Sequence, residues 1–90
     1  MVSAIFFMSQ SCSACKQLYL TIKQLKTEGC KIEEVDVNQR YELARKYNIN
    51  MLPTIVILQD AKEINRHVGV VSADTIRQSL HPTVPDYKVW

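Results

Sequence analysis

The sequence predicts one α/β domain in which strands and helices alternate along the chain, and three observations carry that prediction. A short continuous apolar run over residues 4–8, with two phenylalanines and an isoleucine, fits a central strand covered on both faces. Directly after it, Cys12 and Cys15 open a stretch of helical period. Further on, stretches rich in β-branched residues alternate with capped helical stretches, giving the order strand, helix, strand, helix, strand, strand, helix. The first strand–helix–strand unit implies a right-handed crossover between parallel strands. Ninety residues allow a single core and no second domain. The domain is expected over residues 1–80, with 81–90 a tail containing Pro82 and Pro85 that cannot prolong the last helix.

After the strand at 4–8, the apolar positions Cys15, Leu18, Ile22 and Leu25 recur at steps of three and four. Lys16, Gln17, Lys23, Gln24 and Lys26 fill the polar face, and Gly29 is a plausible stop. Residues 31–37 alternate loosely and predict a second strand, whose polar positions place it nearer a sheet edge. Asn38 is expected to cap a helix over 39–47 that buries Leu43, Ala44 and Tyr47, with Asn48 and Asn50 ending it. Pro53 stands where a strand over 54–58 begins, a position at which its missing N–H is tolerated. A polar turn over 59–62 joins that strand to an antiparallel partner over 63–68, ended by Gly69. Ser72 caps the last helix, with Asp74 in its first turn and Ala73, Ile76 and Leu80 facing inward.

Composition narrows the function. Apolar residues make up 47% and charged residues 22%, which indicates neither a disordered nor a membrane protein. The formal charge of +2 is spread along the chain without a basic block, which argues against nucleic acid as the main partner. The N-terminal apolar run has no basic flank and is short, so it reads as a strand and not as a signal peptide. The protein is therefore expected in the cytoplasm, where a CxxC pair points to chemistry and not to a structural staple.

Cysteines at positions i and i+3 of a first helical turn share one face and can close a reducible disulfide. Unsatisfied N–H groups and the positive end of the macrodipole favour a thiolate at Cys12, which makes it the nucleophile. Cys15 begins the apolar stripe and is the buried, resolving thiol. The pair could also be half of a zinc site or two small structural residues. Against zinc, the other ligand types present are Cys30, His67 and His81, with neither a second CxxC nor an HxxxH.

The order βαβαββα, the CxxC at the first strand–helix junction, Leu52-Pro53-Thr54 before the third strand, and Val68-Gly69 before a capped final helix together resemble the thioredoxin superfamily. The resemblance covers roughly residues 3–80 and implies a thioredoxin-like fold: a four-stranded mixed sheet, order 2-1-3-4, with three helices on its two faces. It also implies a cis Leu52–Pro53 bond. The size is similar to that of short glutaredoxin-like or archaeal-type thioredoxins, without the additional N-terminal strand and helix of longer ones. The dipeptide between the thiols is Ser13-Ala14, neither the Gly-Pro of thioredoxins nor the Pro-Tyr of glutaredoxins. Ser11 replaces thioredoxin's tryptophan, and Phe6 replaces its buried acid. Glu34 is then a candidate proton acceptor for Cys15, against its reading as a solvated strand residue. The paired glycines of a glutaredoxin's glutathione site are missing after Gly69.

The family's activity implies a thiol–disulfide oxidoreductase in which Cys12 attacks and Cys15 resolves, with Ser11, Leu52, Pro53, Val68 and Gly69 forming the substrate-binding groove. The rival readings are a redox sensor or thiol-based binding module without turnover, and a metal-carrying CxxC domain. No cofactor beyond the Cys12–Cys15 redox disulfide and no metal is expected. Partners would be disulfide-bearing proteins and an electron donor, either a flavin-dependent reductase or glutathione, with no nucleic acid or membrane involved and the chain acting as a monomer. The Ser13-Ala14 dipeptide lacks proline's fixed φ, and Ser13 adds a hydroxyl and a free N–H. The potential is therefore expected near about −200 to −230 mV, above the roughly −270 mV of thioredoxin. Cys30 reads as a small buried hydrophobe, against a regulatory or glutathione-accepting thiol; His67 and His81 read as solvated, against ligands or bases; and Tyr87 and Trp90 as either a frayed end or a strap over an apolar patch.

Overall fold

The structure is a computed structural model and describes residues 1–80; the expectations for His81, Tyr87 and Trp90 lie outside them. The elements run β1 (Val2–Met8), α1 (Ser13–Thr27), β2 (Ile32–Asp36), α2 (Tyr41–Lys46), β3 (Thr54–Gln59), β4 (Lys62–Val68) and α3 (Ala73–Ser79). The sheet order is β2-β1-β3-β4, with β1 and β2 parallel and the other two pairings antiparallel. That is the mixed sheet and the order the resemblance implies.

Alternation along β1 divides the core in two, because successive side chains point to opposite faces. Ala4 and Phe6 pack with Leu18, Ile22 and Leu25 of α1 and with Ile76 of α3. Ile5 and Phe7 turn to the other face, against Val35, Val56 and Leu58, where Leu43, Ala44 and Tyr47 cover them. The Phe7 and Tyr47 rings meet at 5.9 Å, tilted by 53°. Both faces of β1 are therefore dry, which explains its unbroken apolar run. On the first face Arg77 of α3 clasps Glu28 at the end of α1 through two bonds of 3.0 and 3.1 Å.

The second helix departs from expectation. It begins at Tyr41, with Arg40 at the cap position and no side-chain cap. Asn38 is engaged elsewhere. Its backbone N–H donates to Asp36 Oδ1 at 2.9 Å, and the N–H groups of Gln39 and Arg40 donate to the Asp36 carbonyl. This turn uses up the residues that would have made the first helical turn, and Asn48 ends the helix at φ 54°.

Three strands, β1, β3 and β4, are longer than expected. β1 starts at Val2, which lies opposite Gln59. The hairpin turn shrinks to Asp60-Ala61, both at positive φ (52° and 71°), the backbone that tight two-residue hairpins require. The Leu52–Pro53 bond is cis. Among the described residues no helix is long and apolar enough to cross a membrane.

Candidate redox site

The register gathers three loops at one end of the sheet. Phe7 pairs with Thr54 and Thr54 with Val68, so the segments after β1, before β3 and after β4 all emerge together. Cys12 lies on the first, Leu52 and Pro53 on the second and Gly69 on the third. The Gly69 N–H donates to the Pro53 carbonyl at 2.8 Å, and Thr54 Oγ1 donates to the Met51 carbonyl at 2.6 Å. The first bond ties the Pro53 loop to the Gly69 turn, and the second closes the Pro53 loop on itself. Pro53 is buried and Leu52 half-buried, while Met51, Val68 and Val70 leave an apolar rim exposed to solvent.

Cys12 is the N-cap of α1, in extended backbone at φ −97° and ψ 111°. Its sulfur accepts the Cys15 N–H at 3.1 Å, and its carbonyl takes the first helical bond from Lys16. Sulfur thus stands where a Ser or Asp oxygen usually satisfies the orphan donor of the third helical residue. The first turn of α1 holds no acidic side chain that could compete for that end of the dipole. Cys12 is half-buried and Cys15 is 3% exposed, so the two thiols differ in access as their positions on the helical wheel predict.

Burial pushes the Cys15 thiol up to about 11, and the Cys12 sulfur adds to this through a hydrogen bond and its charge; a hydrogen bond with the Ser9 backbone acts the other way. The cause is elementary. A thiolate in an apolar environment loses its hydration, and a second sulfur beside it repels the charge. An open cavity of about 400 Å³ reaches Cys15, with Phe6, Ser9, Gln10, Lys16 and Tyr19 in its lining. Phe6 is fully buried against this site. Glu34 does not reach the thiols: its carboxylate pairs with Lys26 at 3.0 Å.

Sequence reasoning passed over Ser9. It is 6% exposed, and its Oγ lies 3.1 Å from Ser11 Oγ, 3.3 Å from the Ser11 N and 3.2 Å from Asn38 Nδ2. Its carbonyl accepts the Cys12 N–H at 3.2 Å. A serine two residues before a backbone N–H is a familiar turn signal, but nothing local shows that Asn38 will arrive from the turn beyond β2.

His67 immediately precedes Val68 on β4, opposite Ile55, while Cys30 lies beyond the far end of α1. His67 is not solvated as expected: it is half-buried and lies 2.7 Å from Ser79 Oγ, with β4 packed near α3. Cys30 packs half-buried against the α1 face of the core, and its thiol is raised by burial and then by the charge of Glu28. Among the described residues no group of three His, Cys, Asp or Glu side chains is placed to hold a metal ion.

The family model described as Thioredoxin matches residues 2–82. The chain belongs to the thioredoxin family. A thioredoxin of Chlamydia trachomatis is 30% identical over 74 residues, covering 80% of this chain and 72% of that relative. A Bacillus subtilis thioredoxin is 27% identical over 78 residues, covering 83% and 75%. Among solved structures, Fasciola hepatica thioredoxin superposes with a TM-score of 0.82 at 28% identity, covering 90% of this chain and 79% of that one. A structure described as a malarial protein, at 23% identity, shares the fold with a TM-score of 0.82 over 93% of this chain and 98% of its own. Thioredoxin-family membership supports a thiol–disulfide redox role in general, and the two cysteines at the start of α1 are compatible with it.

Proposed function

We propose that this protein is a thiol–disulfide oxidoreductase that reduces or exchanges disulfides of other proteins through Cys12 and Cys15. The observation that carries the reading is the asymmetry of the pair: one sulfur is solvent-accessible and caps a helix N-terminus, and the other is buried and held protonated. The Cys12 thiolate attacks a sulfur of the partner disulfide; a Cys12–partner S–S bond forms, the partner's S–S bond breaks, and one partner thiolate leaves. Cys12 is then neutral. Its charge and its free sulfur are two of the causes that hold Cys15 protonated, so attack by Cys12 makes the Cys15 thiol easier to ionise. Water in the adjoining cavity takes the Cys15 proton, a role open to solvent where the family has a buried acid and this chain has Phe6. Cys15 then attacks the Cys12 sulfur, the mixed disulfide breaks, and the second partner thiolate departs. The partner has gained two electrons and the protein ends as the Cys12–Cys15 disulfide.

The Leu52-Pro53 loop, Ser11 and the Val68-Gly69 turn form the docking surface in this reading. It is supported by their meeting at one sheet end and by the exposed apolar rim of Met51, Val68 and Val70. Electrons return from a flavin-dependent reductase or from glutathione, and the active form is a cytoplasmic monomer.

Turnover of insulin disulfides with each donor in turn tests the proposal. Cys12→Ser should abolish reduction, Cys15→Ser should accumulate mixed disulfides, and Cys30→Ser should leave turnover near that of the parent. Stoichiometric thiol oxidation without turnover would instead identify a sensor, and zinc retained through purification a metal carrier.

A further inference from the structure

Ser9 makes more contacts with the redox segment than any local signal requires. Its hydroxyl has one proton to give and two lone pairs to fill. The Ser11 N–H and the Asn38 amide supply two donors, at 3.3 and 3.2 Å, and occupy both lone pairs. The Ser9 proton must then go to Ser11 Oγ, 3.1 Å away. The hydroxyl is thereby saturated inside a nearly closed site, where a mispaired polar group is costly. The same residue's carbonyl holds the Cys12 N–H at 3.2 Å. One residue thus holds the frame of the attacking cysteine, and its side chain is tied to the loop beyond β2 through Asn38.

We propose that Ser9 is a positioning residue for the redox pair, fixed by Ser11 and Asn38 so that the Cys12 sulfur stays over the first turn of α1. Asn38 acts only through Ser9. Loss of the Ser9 hydroxyl frees the segment between β1 and α1, lets the Cys12 sulfur drift from the Cys15 N–H, and weakens the stabilisation of its thiolate. Ser11 accepts from Ser9, so its own proton remains available to a docked partner. The proposal takes its importance from the oxidoreductase reading, but it is testable without turnover.

The test uses the full chain, reduced, and follows alkylation of Cys12 against pH by mass-resolved labelling, in the parent, Ser9→Ala, Asn38→Ala and the double variant. Circular dichroism and melting curves establish that each is folded. Ser9→Ala and Asn38→Ala should each move the Cys12 midpoint upward by roughly half a pH unit, about a threefold loss of thiolate near neutrality. The double variant should match Ser9→Ala alone, because Asn38 has no separate route to the sulfur. Asn38 is exposed, so its variant decides the matter even where Ser9→Ala fails to fold. An unchanged midpoint in a folded Asn38→Ala, or fully additive shifts in the double variant, overturns the proposal. A parent inactive on protein disulfides would refute the oxidoreductase reading and leave this alkylation result standing on its own.

Discussion

Removing the Cys15 thiol should change how the reduced protein's stability depends on alkaline pH, and the size of the change follows from the site. Burial, the first cause, raises this thiol from its ordinary 9.0 to about 11, at a side chain only 3% exposed. At about 1.36 kcal/mol per pH unit that difference is on the order of 2–3 kcal/mol. The sign follows from proton counting. Between 9 and 11 the folded protein keeps the proton and the unfolded chain gives it up, so unfolding is favoured as pH rises. The contribution is fully present below the unfolded value and is lost as pH climbs through the folded one. Urea titrations of reduced parent and Cys15→Ala across that window should show stability falling more steeply in the parent, by on the order of 2–3 kcal/mol in total. Cys30 is common to both proteins, so its contribution cancels in the difference. Parallel curves would refute the reasoning, because they would mean that Cys15 ionises in the fold as readily as in the open chain.

Further expectations concern other parts of the molecule. Ser72 Oγ accepts the Thr75 N–H at the start of α3, so Ser72→Ala should cost about 1 kcal/mol by urea unfolding, and a neutral result would mean the cap is idle. The Arg66 guanidinium holds the Glu63 carboxyl below its ordinary 4.5, so the pair stabilises above that value and its contribution is lost as pH falls through the lower folded one. Glu63→Gln, which leaves the Arg66 bond to the Tyr47 carbonyl, should lose under about 1 kcal/mol at neutral pH and converge with the parent in acid; a constant offset at all pH values would exclude the ion pair as the cause. Equilibration with glutathione buffers should place the Cys12–Cys15 couple near about −200 to −230 mV, and a value at or below about −270 mV would remove the helix-end argument for it.

Much of this architecture is legible in the chain because its signals are local or periodic. The apolar run of β1, the three-and-four spacing of α1, the Ser72 cap and the unequal burial of the two thiols each follow from a few neighbouring residues. The start of α2 is not legible, because Asn38 is a good cap in isolation and the competing bonds come from Asp36 and Ser9. Ser9 escaped for the same reason: its hydroxyl is organised by a side chain 29 positions away. His67 finds Ser79 only once β4 and α3 are packed. In each case a polar side chain was settled at least in part by a partner that the fold delivers, and neither hydropathy nor spacing carries that information.

The sheet's two outer strands bear on which chains this protein can recruit. β2 is five residues long and carries Glu33, Glu34 and Asp36, and β4 carries Lys62, Glu63 and Arg66. Charged side chains along both edges, and the shortness of β2, resist the addition of another strand. A protein proposed to accept extended backbones at its Pro53 loop would be compromised if it accepted them along every free edge, since such partners would stick without meeting a thiol. Charge on the margins discourages that kind of stacking and self-association, and leaves the sulfur-bearing end of the sheet as the productive place to land.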